Sequence, residues 1–159
     1  MSQHMLQAAY LAEQSGASDV LIAGALLHDI GHYTNEFPEN ALELGTDSHH
    51  ETAGAAVLAG YFPPLVTDCV LHHVTAKRYL CATDDAYFAC LSTASVATLK
   101  LQGGAMEAHE VEEFAQNSNL AAILQVRRWD DQGKLKGQQT PDFQHYAPML
   151  QRVVDGFNA

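Results

Sequence analysis

The stretch ALLHDIGHY, residues 25–33, constrains the fold more than any other. An apolar run, VLIAGALL, passes directly into His28, Asp29 and, one turn on, His32. A helix that reads as buried therefore ends in three polar groups, each of which needs a partner away from water. Two solutions exist. A neighbouring carboxylate satisfies a core histidine, or several helices converge to hold a metal.

The rest of the chain supplies helices to converge. SQHMLQAAYLAEQSG reads as a first helix, with apolar Leu6, Ala9, Tyr10 and Leu11, ending at Gly16. Ser18 is placed to cap the second. SHHETAGAAVLAGYF follows, with Ser48 and Glu51 in capping-box spacing and Pro63-Pro64 as the stop. PLVTDCVLHHVTAKRYLC, DDAYFACLSTASVATLKLQ (closed by Gly103-Gly104), AMEAHEVEEFAQ and SNLAAILQVRRWDD read as further helical segments. GKLKGQQTPDF reads as a polar loop, and HYAPMLQRVVDGF as a last short helix. No segment alternates at period two for long enough to require a sheet. The expectation is an all-α domain of about seven or eight helices, with 159 residues forming one domain, 1–159.

The net charge of −11 argues against a nucleic-acid partner. Three cysteines, Cys69, Cys81 and Cys90, form no CxxC pair and suggest a reducing compartment. The longest apolar stretch is too short for a bilayer and no secretion leader is visible, so a soluble cytoplasmic protein is expected. Oligomeric state is not legible.

Nine histidines outnumber the eight lysines and arginines. His4 lies in the first helix, His28 and Asp29 end the second, His49 and His50 open the third, His72 and His73 lie in the fourth, and Asp130 and Asp131 end a late one. Any one of them alone is more simply a surface or satisfied core residue. Jointly they resemble the way bundles build metal sites, from inward-facing side chains of several helices. Neighbours on a helix point about 100° apart, so His28 and Asp29 serve one metal poorly unless the carboxylate bridges two. That favours a binuclear site with imidazole and carboxylate ligands, suited to iron, manganese, zinc or cobalt. Lys77 is four residues after His73, and Arg127 three before Asp130, so each shares a face with a candidate ligand. Two cations aimed at a metal centre in an acidic protein suggest an anionic substrate. Neutralising the carboxylates of the site explains them equally well on spacing alone.

The pieces LLHDIGH, HHETAGAAVL, HVTAKRYL, LSTASVATLKLQGGAM and RRWDDQGK resemble the HD-domain superfamily. The finer resemblance is to its branch of mixed-valence diiron oxygenases that cleave organophosphonates, and it extends from SQHMLQ to about Lys136. The resemblance implies an HD-domain helical bundle with a central binuclear site. It implies His4, His28, Asp29, His50, His73 and Asp130 as metal ligands, with Asp29 bridging, and two iron ions (Fe2+/Fe3+) with O2 as co-substrate. It places Lys77, Ser95, Thr98 and Arg127 on a small anionic phosphonate, and His32 beside the irons, on the substrate side. Asp29 and His32 become the catalytic candidates. The implied reaction is oxidative cleavage of the C–P bond of a small 1-hydroxyphosphonate, giving phosphate and a carboxylic acid. Members of the branch carry a further N-terminal segment with a tyrosine and a glutamate over the site, whereas this chain starts at Met1-Ser2-Gln3, just before the first candidate ligand. A metal-dependent HD phosphohydrolase acting on a phosphate ester or nucleotide is the alternative enzyme. A binding protein with the same pocket and no redox chemistry is the third reading.

Overall fold

The structure, a computed structural model, describes residues 1–34 and 49–159. Among the described residues every regular element is helical: α1 (Ser2–Gln14), α2 (Asp19–Leu27), a 3-10 turn (Ile30–Tyr33), α3 (His50–Leu58), α4 (Pro64–Thr83), α5 (Asp85–Ala89), α6 (Thr93–Leu101), α7 (Ala108–Phe114), α8 (Leu120–Gln132) and α9 (Phe143–Asn158). No helix among them is long and apolar enough to cross a membrane.

Helix α4 is the axis. It packs on α8, α3 and α2, while α1 packs on α2 and α8. Their shared interior is built from Leu6, Ala8, Ala9 and Ala12 of α1, Ala23, Ala25 and Leu26 of α2, Val66, Cys69 and Val70 of α4, and Ile123, Val126 and Trp129 of α8. Each large side chain buried there contributes about 1.5–3 kcal/mol relative to exposure. The many alanines let the helices approach closely at the end of the bundle where the histidines lie.

Local chemistry sets the helix ends. Ser18 caps α2 by accepting from the Leu21 amide. Ser48 lies outside the described residues, and His49 occupies the position before α3. Helix α3 ends at Leu58, short of Pro63, and Pro64 instead opens α4 at a position where a missing amide costs nothing. The segment read as one helix over 84–102 is two. Asp84 caps α5, and Ser92 starts α6 by accepting from the Ser95 amide, so a second N-cap interrupts the run. The last helix is also longer than expected. Pro148 removes a backbone donor, yet α9 continues for 16 residues because Tyr146, Met149 and Val153 form a buried stripe, packed on α2.

One departure matters for the site. Helix α2 stops at Leu27, and Asp29 sits outside it at φ −102°, ψ 13°. The expected 100° offset around a continuous helix is replaced by a break into the 3-10 turn. The reason is a close approach: a Cβ on Gly31 would lie 1.8 Å from the His50 carbonyl oxygen and 2.9 Å from the Gly54 amide nitrogen. Only glycine lets the 3-10 turn press against the start of α3 there. That contact carries His50 to Asp29.

Candidate metal centre

Five elements deliver the candidate ligands to one point: α1 brings His4, the end of α2 brings His28 and Asp29, α3 brings His50, α4 brings His73, and α8 brings Asp130. The pairs left open by the sequence separate by burial. His50 is buried while His49 is exposed, and His73 is buried while His72 is half-buried with its ring against Phe114.

Asp29 divides the group in two. Its Oδ2 lies 3.4 Å from His28 Nε2 and 3.7 Å from His4 Nε2. Its Oδ1 lies 3.2 Å from His50 Nε2 and 3.4 Å from His73 Nε2. Asp130 Oδ1 completes the first half at 3.0 Å from His4 Nε2. His32 flanks the second half, stacked on His50 with ring centroids 4.0 Å apart and its Nε2 4.0 Å from Asp29 Oδ1. Two sets of donor atoms close enough to hold an ion result: His4, His28 and Asp130, and Asp29, His32 and His50.

The orientation of the rings explains what such a cluster requires. His28 Nδ1 donates to the Ala25 carbonyl and His73 Nδ1 to the Val70 carbonyl, each at 2.7 Å, and His4 Nδ1 donates to the Gly133 carbonyl at 2.8 Å. A carbonyl only accepts, so each of these three rings carries a proton on Nδ1 and turns its Nε2 inward. His4 Nε2 then faces His28 Nε2 at 3.1 Å, and His50 Nε2 faces His73 Nε2 at 3.0 Å. A proton on one Nε2, which Asp29 and Asp130 favour on His28, or a metal cation in its place satisfies such a contact. Neighbouring ligands of a metal with bonds of about 2.1 Å are about 3.0 Å apart at a right angle, which is the observed spacing. The donor set is imidazole and carboxylate. The one buried thiol, Cys69, belongs to the apolar core, and burial pushes it up to about 12.

The field of the site is that of a cation trap. Burial opposes ionisation of Asp29, but His28 holds its carboxyl well below the usual range, and Arg127 followed by His28 does the same for Asp130. Burial likewise opposes a charge on His28, yet Asp29 and Asp130 draw it up to about 9. His32 behaves oppositely: burial and the neighbouring His50 push it down to about 4, so its ring is neutral.

Beside the first half lies a wall of hydroxyl and ammonium groups. Lys77, 2% exposed, donates to Thr98 Oγ1 at 2.9 Å, and Thr98 donates to the Ser95 carbonyl. Burial, then the Arg127 charge, pushes Lys77 down to about 8. The structure thus brings Lys77, Ser95 and Thr98 together. Arg127 is buried beside them and heavily engaged. It reaches Asp130 Oδ2 at 2.7 Å, both oxygens of Asp131, and Tyr87 Oη at 3.1 Å. Tyr87 in turn donates to Asp131 Oδ2 at 2.5 Å. Arg127 therefore orients Asp130 from behind.

Asp131, one of the two carboxylates that end α8, turns to Arg127 rather than to the cluster, and two residues of this network escaped sequence reasoning: Tyr87 and Lys134. Lys134 Nζ lies 3.3 Å from Asp130 Oδ1, 3.2 Å from Asp131 Oδ1 and 3.4 Å from Ser95 Oγ. Its signal was available, because it follows Asp130 by four residues, the spacing that singled out Lys77. Its position is fixed by Gln7, whose side-chain amide exchanges two hydrogen bonds with the Leu135 backbone and ties that segment to α1.

An all-α bundle with a buried His-Asp pair between helices defines the HD-domain class. The chain belongs to that family, whose HD domain matches residues 1–126. Asp130 lies beyond the matched span. Within the family, the chain is 55% identical over 155 residues to the [1-hydroxy-2-(trimethylamino)ethyl]phosphonate dioxygenase (glycine-betaine-forming) of Leisingera caerulea, covering 98% of this chain and 79% of that protein. It is 47% identical over 154 residues to the hydroxymethylphosphonate dioxygenase of Gimesia maris, covering 96% and 77%.

Proposed function

We propose that the chain is an HD-domain oxygenase that uses O2 to cleave the C–P bond of a small 1-hydroxyphosphonate, releasing phosphate and a carboxylic acid. One observation carries this reading: the two-part His/Asp cluster and the lysine-hydroxyl wall lie side by side in a chain similar over almost its whole length to two dioxygenases of hydroxyphosphonates. The substrates in those two names share the 1-hydroxyphosphonate group and differ in what C1 carries. The residues here are assigned to the shared part.

Two metal ions fit the donor set: His4, His28 and Asp130 would hold one, His50 and His73 the other, and Asp29, with one oxygen towards each half, would join them. Iron in the Fe2+/Fe3+ state is the assignment that suits an oxygenase; its ferrous ion would supply one electron to O2, and oxidation of the substrate would supply the rest. Lys77, Ser95 and Thr98 hold the phosphonate, a positioning contribution. Lys77 acts as a point charge and the two hydroxyls as adaptable donors. Arg127 fixes Asp130 and adds positive charge behind the anion. His32, neutral and half-exposed on the second half of the cluster, accepts or returns a proton near the C1 hydroxyl.

The test follows phosphate release from hydroxymethylphosphonate by protein loaded with ferrous iron, in air and under argon. Release confined to air is expected. Equal release under argon means that the C–P bond breaks without O2 and overturns the oxygenase reading; no release from hydroxymethylphosphonate in air, with release from a phosphate monoester, identifies the phosphohydrolase instead.

A further inference from the structure

We propose that Lys134 is a second ammonium group of the anion site, closing over the phosphonate from the side opposite Lys77. The inference rests on the phosphonate reading above and adds a residue to it. Lys134 Nζ touches Asp130 Oδ1, Asp131 Oδ1 and Ser95 Oγ, at 3.3, 3.2 and 3.4 Å. Neither carboxylate depends on it. Asp131 already takes Arg127 on both oxygens and Tyr87 on one, and Asp130 takes Arg127 on Oδ2. Asp130 Oδ1 is also the oxygen that faces His4 at 3.0 Å. A metal ion held by His4, His28 and Asp130 shares that oxygen, and its charge repels the neighbouring ammonium. The remaining contacts of Lys134 are Ser95 Oγ and Asp131 Oδ1, the latter a carboxylate already neutralised by Arg127.

Ser95 and Thr98 stand one turn apart on α6, with Lys134 on the first and Lys77 on the second. Two ammonium groups therefore bracket two hydroxyls. Their proximity is electrostatically evident, since the charge of Lys134 is among the influences that lower Lys77. A doubly charged phosphonate matches two cations and offers three oxygens to four donors. The two lysines differ in access. Lys77 is enclosed, whereas the Lys134 side chain is 35% exposed. A flexible stem at the rim lets Lys134 leave the carboxylates and follow the anion.

The experiment is calorimetric titration of methylphosphonate, which lacks the reactive hydroxyl, into ferrous-loaded protein under argon. Lys134→Met and Lys134→Gln are expected to weaken binding by about tenfold or more, the loss of one hydrogen bond to a charged group. Lys134→Arg should recover most of it, and metal content should match the parent protein in all three. Unchanged affinity in the Met and Gln variants overturns the proposal. So does a loss of affinity that tracks loss of metal, which assigns Lys134 to Asp130 alone, or an absence of methylphosphonate binding by the parent protein. None of these outcomes involves O2, so they are independent of the air and argon result that tests the oxygenase reading.

Discussion

Replacing Lys77 by Met should make the protein more stable and abolish its hold on phosphonate. Lys77 is buried, and lowering it from 10.5 to about 8 means that the charged form is disfavoured in the fold by about 3 kcal/mol. Methionine has similar length and no charge, so that penalty disappears. The substitution also removes the charged hydrogen bond to Thr98 Oγ1, worth about 2 kcal/mol. The net gain is about 1 kcal/mol, which for a chain of this size raises Tm by about 2–4 °C. The pH dependence carries a definite sign. Between about 8 and 10.5 the unfolded chain keeps a proton on Lys77 that the folded chain has released, so parent stability gains from rising pH across that window. The advantage of Lys77→Met is thus full below pH 8 and shrinks towards pH 10.5. The assay is thermal unfolding of both proteins at equal metal content from pH 7 to 10, paired with methylphosphonate titration. A lower Tm for the variant at every pH, with phosphonate affinity intact, would refute the reasoning and make Lys77 a structural residue.

Other perturbations test the geometry. Asp29→Ala should lose both metals, because its two oxygens face the two histidine sets, whereas His73→Ala should retain about one; elemental analysis showing two metals in the Asp29 variant excludes bridging. Gly31→Ala should displace α3 and cost about 2 kcal/mol or more in chemical denaturation, because its Cβ meets the His50 carbonyl at 1.8 Å; an unchanged unfolding midpoint removes the close approach from the account. Tyr87→Phe should cost about 1 kcal/mol by depriving half-buried Asp131 of a donor while metal content stays at the parent value, and loss of metal in that variant would show that Tyr87 supports Asp130 more directly.

Much of the site was legible because helical spacing is simple. His28 and Asp29 after an apolar run, a histidine at the start of the next helix, and Lys77 one turn beyond His73 all follow from 3.6 residues per turn. Choosing between His49 and His50, or His72 and His73, needed the resemblance, since neighbouring residues on one helix differ only in which way the core lies. The break at Asp29 was not legible. It depends on the Gly31 contact with α3, a tertiary approach that leaves no periodic trace. Arg127 shows the same difficulty. Its spacing to Asp130 indicated the correct face, and its pairing with Asp131 is an i,i+4 contact within α8, but its engagement with Tyr87 depends on α5, 40 residues earlier in the chain. The split between α5 and α6 turned on one serine cap inside an otherwise helical run.

The proposed role of Asp29 is to join two metal ions inside this bundle. It is tested most directly by metal analysis and electron paramagnetic resonance of anaerobically purified protein after partial oxidation. The parent protein should hold two irons per chain and show the signal of a coupled Fe2+/Fe3+ pair, absent from Asp29→Ala. One iron per chain with the signal of an isolated ferric ion would contradict it.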